Sequence, residues 1–362
     1  MITSVSIVKN ILNGILKRAV IFNKRVFILA VMSFIIALML EVSPSVQKGT
    51  SATVLDSKSA LTTAEGNIKG NSNWHPIGWG SGEYLNMLPI IKAGAVLDFD
   101  SGNVIWSLNL KQKIAPASLS KLATVAAAMD LARGDHLISI SDDASNQIPT
   151  ILGLKSGERL TLDDAASGAI MTSANDAAQA IADSIGAEYS LGLSGFMDLV
   201  NFKLSKIGAS DSHFATATGL DDPNHFSTVY DLAIIAHDAK VNYPDIAGYA
   251  ATIYRRLDAN QNHKLYDLPN WNALLGTYPG VDGLKIGYTE NAGYSTIVTA
   301  ERDGHRFMAI VSGAGSIEDR DVAAATLLNY GFEKYNIGAF PINNLDLAKR
   351  FNDWKAELSQ TN

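Results

Sequence analysis

Ala115-Pro116-Ala117-Ser118-Leu119-Ser120-Lys121-Leu122-Ala123-Thr124 runs without interruption into Val125-Ala126-Ala127-Ala128-Met129-Asp130-Leu131. A proline followed by an Ala- and Leu-rich run with no further Gly or Pro predicts entry into a helix, and the scarcity of polar residues predicts burial on most sides. With Ser118 in the first turn, Lys121 stands on the same face one turn later. Serine is a weak nucleophile at neutral pH. Lysine becomes its base only where burial or nearby positive charge lowers its proton affinity. The helix N-terminus adds a favourable potential for developing negative charge. Taken alone, the same residues also read as a helix cap beside a solvent-facing lysine.

Upstream, Ala93 to Phe99 and Val104 to Leu108 read as strands joined by the tight turn Asp100-Ser101-Gly102-Asn103, a hairpin that delivers the chain to Ser118. Downstream, Thr161 with Asp164 three residues later predicts a capped helix over Leu162 to Ile170. Further helices are predicted over Asp176 to Ile185, over Phe196 to Ile207 with its stripe of Met197, Val200, Leu204 and Ile207, and over Thr228 to Ala239. Beyond Trp271, strands are predicted at Leu284 to Thr289, Ser295 to Glu301 and Arg306 to Val311, the last two joined by Arg302-Asp303-Gly304-His305, before a helix over Asp319 to Tyr330. Strands at both ends of a helical middle predict an α+β fold, with one antiparallel sheet assembled from distant segments and flanked by helices.

The 362 residues are 47% apolar, enough for a large core. The first 25 residues carry Lys9, Lys17, Arg18, Lys24 and Arg25 with no acid, and Val26 to Leu40 is an uncharged run of 15, apolar apart from Ser33. A spanning helix needs about 20 residues, so this segment reads as an export signal, either cleaved or retained as a membrane anchor. The formal charge of the whole chain is -7, so the body without this basic end is more acidic still, which argues against nucleic acid as a partner. There is no Cys, and the seven His show no His-x-x-His or His-Glu-x-x-His spacing, so disulfides, thiolate metal sites and a zinc hydrolase are not expected. Residues 43 to 75 are rich in Ser, Thr, Gly, Asn and Lys and read as linker. The expected organisation is a basic signal or anchor segment at 1–45, a linker at 46–83, a catalytic domain at 84–335 and a tail at 336–362.

Two further short motifs carry potential chemistry. In Met171-Thr172-Ser173-Ala174-Asn175-Asp176, between two predicted helices, Ser173 and Asn175 are two apart in an expected loop and can face one cleft, although Ser and Asn are also routine turn residues. In Gly280-Val281-Asp282-Gly283-Leu284-Lys285-Ile286-Gly287-Tyr288-Thr289, Lys285 places a cation beside a strand that Gly287 leaves approachable by a second peptide. An edge-strand lysine that blocks aggregation is the structural alternative.

Ser118-Leu119-Ser120-Lys121, Ser173-Ala174-Asn175 and Lys285-Ile286-Gly287 resemble, in order and spacing, the motifs of penicillin-recognising serine enzymes. The flanks, including Gly287-Tyr288-Thr289, Gly219-Leu220-Asp221-Asp222, His225, Ser227, Thr228 and Asp231, look like the D-alanyl-D-alanine carboxypeptidase branch, peptidase family S11. The resemblance covers roughly residues 84 to 335. It implies a β-lactamase/transpeptidase-like fold with a mostly helical insert, no cofactor and no metal. Its expected substrates are peptidoglycan stem peptides ending in D-Ala-D-Ala, with β-lactams as covalent inhibitors, on the extracytoplasmic side. By the same resemblance Ser118 is the acylated nucleophile, Lys121 its base and Ser173 a proton relay. Asn175, Lys285, Gly287, Tyr288 and Thr289 bind substrate, with the N–H groups of Ser118 and Tyr288 as oxyanion hole, while His225 and Asp231 support the fold.

One position departs from the family pattern, Ile286 where the family carries Thr, whose hydroxyl is expected to bind the substrate's terminal carboxylate. Side chains at 285, 287 and 289 share a strand face, so Thr289 is expected to offer a hydroxyl near Lys285 while Ile286 packs elsewhere. Cleavage of D-Ala cross-links and a catalytically weakened cell-wall-binding protein are the alternatives that Ile286 raises. A β-lactamase is disfavoured, because no Glu-x-x-Leu-Asn segment is present. The β-rich second domain of many relatives has no counterpart in Phe340 to Asn362, so any membrane attachment is expected from the N-terminal segment.

Overall fold

The computed structural model describes residues 57–350 apart from 71, 72, 84, 86, 87, 343–345 and 348. The basic N-terminus, the Val26 to Leu40 segment and the end of the expected tail lie outside the described residues. Among the described residues no helix is long and apolar enough to cross a membrane.

The described residues open with α1 (Ser57–Asn67), then the hairpin β1 (Ala93–Asp98) and β2 (Val104–Leu108). Asp98 closes the hairpin turn by accepting from the N–H and hydroxyl of Ser101. A 3-10 turn (Ala117–Ser120) leads into α2 (Lys121–Leu131), followed by β3 (Leu137–Ser139), α3 (Asp142–Ser145), β4 (Arg159–Thr161), α4 (Leu162–Met171), α5 (Asn175–Glu188), α6 (Gly192–Ile207), α7 (Val229–Asn242) and α8 (Pro244–Ala251). The chain then forms β5 (Tyr254–Leu257), β6 (Tyr266–Pro269), β7 (Val281–Thr289), β8 (Gly293–Arg302), β9 (His305–Ala314) and α9 (Ile317–Glu333).

Five strands make one antiparallel sheet in the order β2-β1-β9-β8-β7, so segments from before and after the helical middle are joined by the β1–β9 pair, in which Val96 faces Ala309. Both faces are covered, and the period of two sorts each strand between two cores. Ala95, Leu97, Ile297, Met308 and Ile310 face the helical core, whereas Val96, Val298, Phe307, Ala309 and Val311 face the core beneath α9. This is the expected α+β sheet flanked by helices. The predicted cap forms, with Thr161 accepting from the Asp164 N–H at 3.1 Å, and Thr228, expected as the first residue of its helix, instead caps it by accepting from the Asp231 N–H at 3.0 Å.

Where residues 43 to 75 were expected to be linker, Ser57–Asn67 is helical. Ala60, Ala64 and Ile68 are buried at four-residue spacing, an apolar stripe built largely from alanine and therefore faint in composition. α2 is enclosed as predicted, with every residue from Lys121 to Ala128 buried. At its far end Asp130 joins Lys203 of α6, whose Nζ lies 3.2 Å from Asp130, 3.2 Å from Asp238 of α7 and 2.6 Å from the Tyr243 hydroxyl. Lys203 is 1% exposed, so removing its charge takes the ion pair from buried Asp238 and leaves Asp130 only the looser one with Lys69 at 3.9 Å. Lys203→Met is expected to lower the unfolding free energy by about 3–5 kcal/mol, read from urea denaturation. A midpoint equal to that of the wild type would show the cluster to be energetically idle.

Candidate active site

Ser118 stands at the mouth of the helical core on a turn tighter than the sequence predicts. Ala117 has φ of 49° and Ala117–Ser120 is a 3-10 turn, so α2 begins only at Lys121. In a 3-10 turn residues three apart eclipse one another, and Lys121 Nζ meets Ser118 Oγ at 2.7 Å. Lys121 also donates to Asn175 Oδ1 at 2.8 Å and to the Thr218 carbonyl. Complete burial lowers its pKa to about 7, against the opposing pull of Asp176. The structure thus selects the hydroxyl–amine pair over the solvent-facing lysine.

Ser173 occupies the α4–α5 junction with φ of 60°, and Asn175 is the first residue of α5 rather than part of the loop expected there. Asn175 Nδ2 donates to the Ile148 carbonyl at 2.9 Å, and its N–H to the Thr150 carbonyl at 2.7 Å. The adjacent Asp176 carboxylate accepts from the N–H groups of Leu152, Gly153 and Leu154. One helix start therefore fixes both the base and the wall formed by residues 148–154.

The opposite wall is β7, the edge strand of the sheet. A Cβ at Gly287 would stand 3.0 Å from the Ser118 nitrogen, so glycine permits the strand to reach the nucleophile's backbone. Lys285 is buried and donates to the Ile286 carbonyl at 3.0 Å. Burial holds its pKa well below the ordinary lysine range, and the positive charges of Lys121 and Arg320 push in the same direction. Tyr288 is 52% exposed, its ring 4.4 Å from that of Tyr294.

Ser118, Ser173, Asn175, Gly287, Tyr288 and Thr289 line one cleft of about 220 Å³, with Lys121 bonded beneath it and Lys285 enclosed behind β7. Two expectations change. The Thr289 hydroxyl does not turn to Lys285 but donates to Asp221 at 2.7 Å and accepts from the Ala292 N–H, latching the β7–β8 turn to the Gly219–Asp221 loop. Ile286 stays at the cleft, beside Ile317 and Arg320, because an edge strand exposes its rim. Arg320 was missed from sequence. It is 2% exposed and paired with Asp321 at 2.6 and 2.8 Å, and the only hint was the run Asp319-Arg320-Asp321 at a helix start. Trp271, Leu220 and the Pro149–Thr150 segment complete the lining. Among the described residues no cluster of three or more His, Asp and Glu can hold a metal ion.

A profile of the family described as D-alanyl-D-alanine carboxypeptidase, peptidase S11, matches residues 89–316. D-alanyl-D-alanine carboxypeptidase DacF of Bacillus subtilis is 31% identical over 264 residues, covering 71% of this chain and 66% of its own. DacD of Salmonella typhimurium is 33% identical over 264 residues, covering 68% and 64%. The chain thus spans just under two thirds of the length of these relatives. Among solved structures, the D-alanyl-D-alanine carboxypeptidase DacD from Francisella tularensis superposes with a TM-score of 0.61 at 25% identity, over 72% of this chain and 74% of that one. The Streptomyces K15 DD-transpeptidase shares the fold with a TM-score of 0.63 at 23% identity, over 68% of this chain and 98% of that one.

The nucleophile turn is approached by backbone from a second side. Gly219 has φ of 81°, and a Cβ there would lie 2.3 Å from the Ala117 carbonyl oxygen and 2.8 Å from Ser120 Oγ. Gly219→Ala is therefore expected to cost about 1–3 kcal/mol of stability, measured as a shift in the denaturation midpoint. An undisturbed midpoint would mean that the Ala117 turn yields freely.

Proposed function

The chain belongs to the D-alanyl-D-alanine carboxypeptidase family, peptidase S11, and from that premise we propose that it is a serine-type carboxypeptidase that removes the terminal D-Ala from peptidoglycan stem peptides through an acyl-enzyme. One observation carries the reading. A serine hydroxyl lies 2.7 Å from a fully buried lysine amine whose pKa has fallen to about 7, so a substantial fraction of the amine is free to take a proton at neutral pH.

In the proposed reaction Lys121 takes the Ser118 proton as Oγ attacks the carbonyl of the penultimate D-Ala. Developing negative charge on the carbonyl oxygen is met by the N–H groups of Ser118 and Tyr288, fixed donors on a turn and an edge strand. Ser173 relays the proton that Lys121 took on to the departing amine, which returns Lys121 to its neutral form, with Lys285 keeping that region positive. Asn175, Gly287 and Tyr288 hold the acyl-side peptide along β7. Water then attacks the ester, with Lys121 again as base, and frees Ser118. Loss of one oxyanion donor costs about 2.7–4 kcal/mol in other hydrolases, so the backbone at Gly287-Tyr288 matters as much as any named side chain.

Export is part of the proposal. The basic N-terminus and the apolar Val26 to Leu40 run direct the body to the extracytoplasmic side, where its substrate lies, with the segment either cleaved or kept as an anchor. Penicillin-type β-lactams, as acyl donors of similar shape, are the expected covalent inhibitors. Intact-protein mass spectrometry after exposure to benzylpenicillin should show one added inhibitor mass on the wild type and none on Ser118→Ala. The acylation rate should rise with pH through about 7 and level off above it, because the neutral amine is the active form. An equal adduct on Ser118→Ala would remove Ser118 from the reaction.

Ile286 favours a second activity at the same site, cleavage of D-Ala cross-links whose leaving residue has no free carboxylate. Ile286 borders the cleft and the Thr289 hydroxyl is engaged by Asp221, which leaves Arg320 as the cation lining the cleft for a carboxylate. Restoring a hydroxyl with Ile286→Thr should speed release of free D-Ala by about one to two orders of magnitude, the worth of a hydrogen bond to a charged group. Cleavage of cross-linked dimers should change far less. Equal acceleration of both would show that residue 286 does not read the carboxylate, and acylation with hydrolysis of neither substrate would point to the weakened cell-wall-binding protein.

A further inference from the structure

His225 has no part in the reaction scheme, yet its ring is 4% exposed in the loop that follows the cleft wall. It stacks on Phe214 at 5.0 Å, and its Nδ1 faces the N–H groups of Ala215 at 3.1 Å and Thr216 at 3.3 Å. Backbone N–H groups only donate, so Nδ1 is an acceptor and the ring proton sits on Nε2. Nε2 is buried and has no hydrogen-bond partner among the described residues. The fold thus tolerates an unsatisfied donor in order to aim Nδ1 at the backbone.

What that backbone carries is the base's own cradle. Two residues on, the Ala217 carbonyl accepts from Thr124 of α2 at 3.1 Å, and the Thr218 carbonyl accepts from Lys121 Nζ and, at 3.4 Å, from Ser118 Oγ. Thr216 Oγ1 accepts from the Gly219 N–H at 3.1 Å, which closes the segment into a tight loop against Ala117. We propose that His225 is a positioning residue for Lys121: by accepting both N–H groups at the root of residues 215–219, it sets the Thr218 carbonyl that holds the lysine against Ser118. This rests on the serine–lysine chemistry proposed above.

The charged neighbours of the ring are Asp222, Lys121, His213 and Asp221, and Lys121 in turn faces Asp176 and Lys285. Burial lowers the His225 pKa to about 4, so its neutral, accepting form holds through the working range of Lys121.

Three variants separate positioning from bulk. In His225→Asn the Oδ1 atom takes the place of Nδ1, in His225→Gln the acceptor moves to the place of Nε2, and His225→Ala removes it. Penicillin acylation below the melting temperature of each variant should be slower by about tenfold or more in the Gln and Ala variants and within about threefold of wild type in the Asn variant. Titration of Lys121, followed by the 15N shift of its amine in lysine-labelled protein, should move by about half a pH unit or more in the Gln and Ala variants and stay in place in the Asn variant. A Lys121 titration that is the same in all four proteins overturns the proposal, as does a Gln variant that acylates like the wild type. The NMR titration needs no substrate, so an unreactive wild type would defeat the catalytic reading while the role of His225 is still decided.

Discussion

A lysine buried among neutral oxygens is the constraint on which this structure depends. Lys121 and Lys203 are equally enclosed, yet they sit in opposite electrostatic settings. Lys203 lies between the carboxylates of Asp130 and Asp238, and the two ion pairs tie three helices together. Lys121 touches a hydroxyl, an amide oxygen and a backbone carbonyl, and the nearest carboxylate influence, Asp176, is outweighed by burial. Partners of that kind orient an amine without supplying the counter-charge that would keep it protonated. Asp176 is further occupied by three backbone N–H groups of the 152–154 wall, so its charge is already shared.

Delivering such a lysine to a serine requires several distant segments to meet, and glycine decides how closely they do. The nucleophile turn is pressed by Gly219 on one side, at a distance that leaves no room for a side chain, and by Gly287 on the other, where a Cβ would meet the Ser118 nitrogen at 3.0 Å. The sheet order puts β7 at an edge, so Gly287 presents backbone both to Ser118 and to any peptide entering the cleft. The Asp221–Thr289 bond then links the two flanks, because Asp221 follows Gly219 and Leu220 while Thr289 ends β7. The loop and the edge strand that press on the nucleophile turn are therefore tied directly to each other.

Much of this was legible in the chain. Strands with alternating destinations, helices opened by Thr161 and Thr228, and the three short motifs all rest on side-chain type and spacing, which sequence carries directly. What escaped reading was of another kind. The helix Ser57–Asn67 buries mostly alanines, whose apolar stripe is weak, and the short pairs β3–β4 and β5–β6 hold too few apolar residues to show a period. Thr289 has the right parity to face the cleft, but parity says nothing of Asp221 waiting sixty-eight positions away. The Thr218 carbonyl carries no residue-type signal, since any amino acid supplies one, and Arg320 enters through the packing of α9 against β8 and β9, a contact between elements that no local pattern encodes.

Asn175 shows why an amide, and not the acid of the same shape, suits the centre of this arrangement. The Ile148 carbonyl can only accept, which assigns Nδ2 to that bond and turns Oδ1 towards Lys121. The side chain therefore joins the base to the 148–154 wall through a donor and an acceptor at once. A carboxylate there would leave the Ile148 carbonyl without its donor and would set a full negative charge against the amine, favouring its protonated form. The neutrality of Asn175 is thus part of the same electrostatic design that lowers the proton affinity of Lys121, and its rigidity at the first position of α5 carries that design into the shape of the cleft.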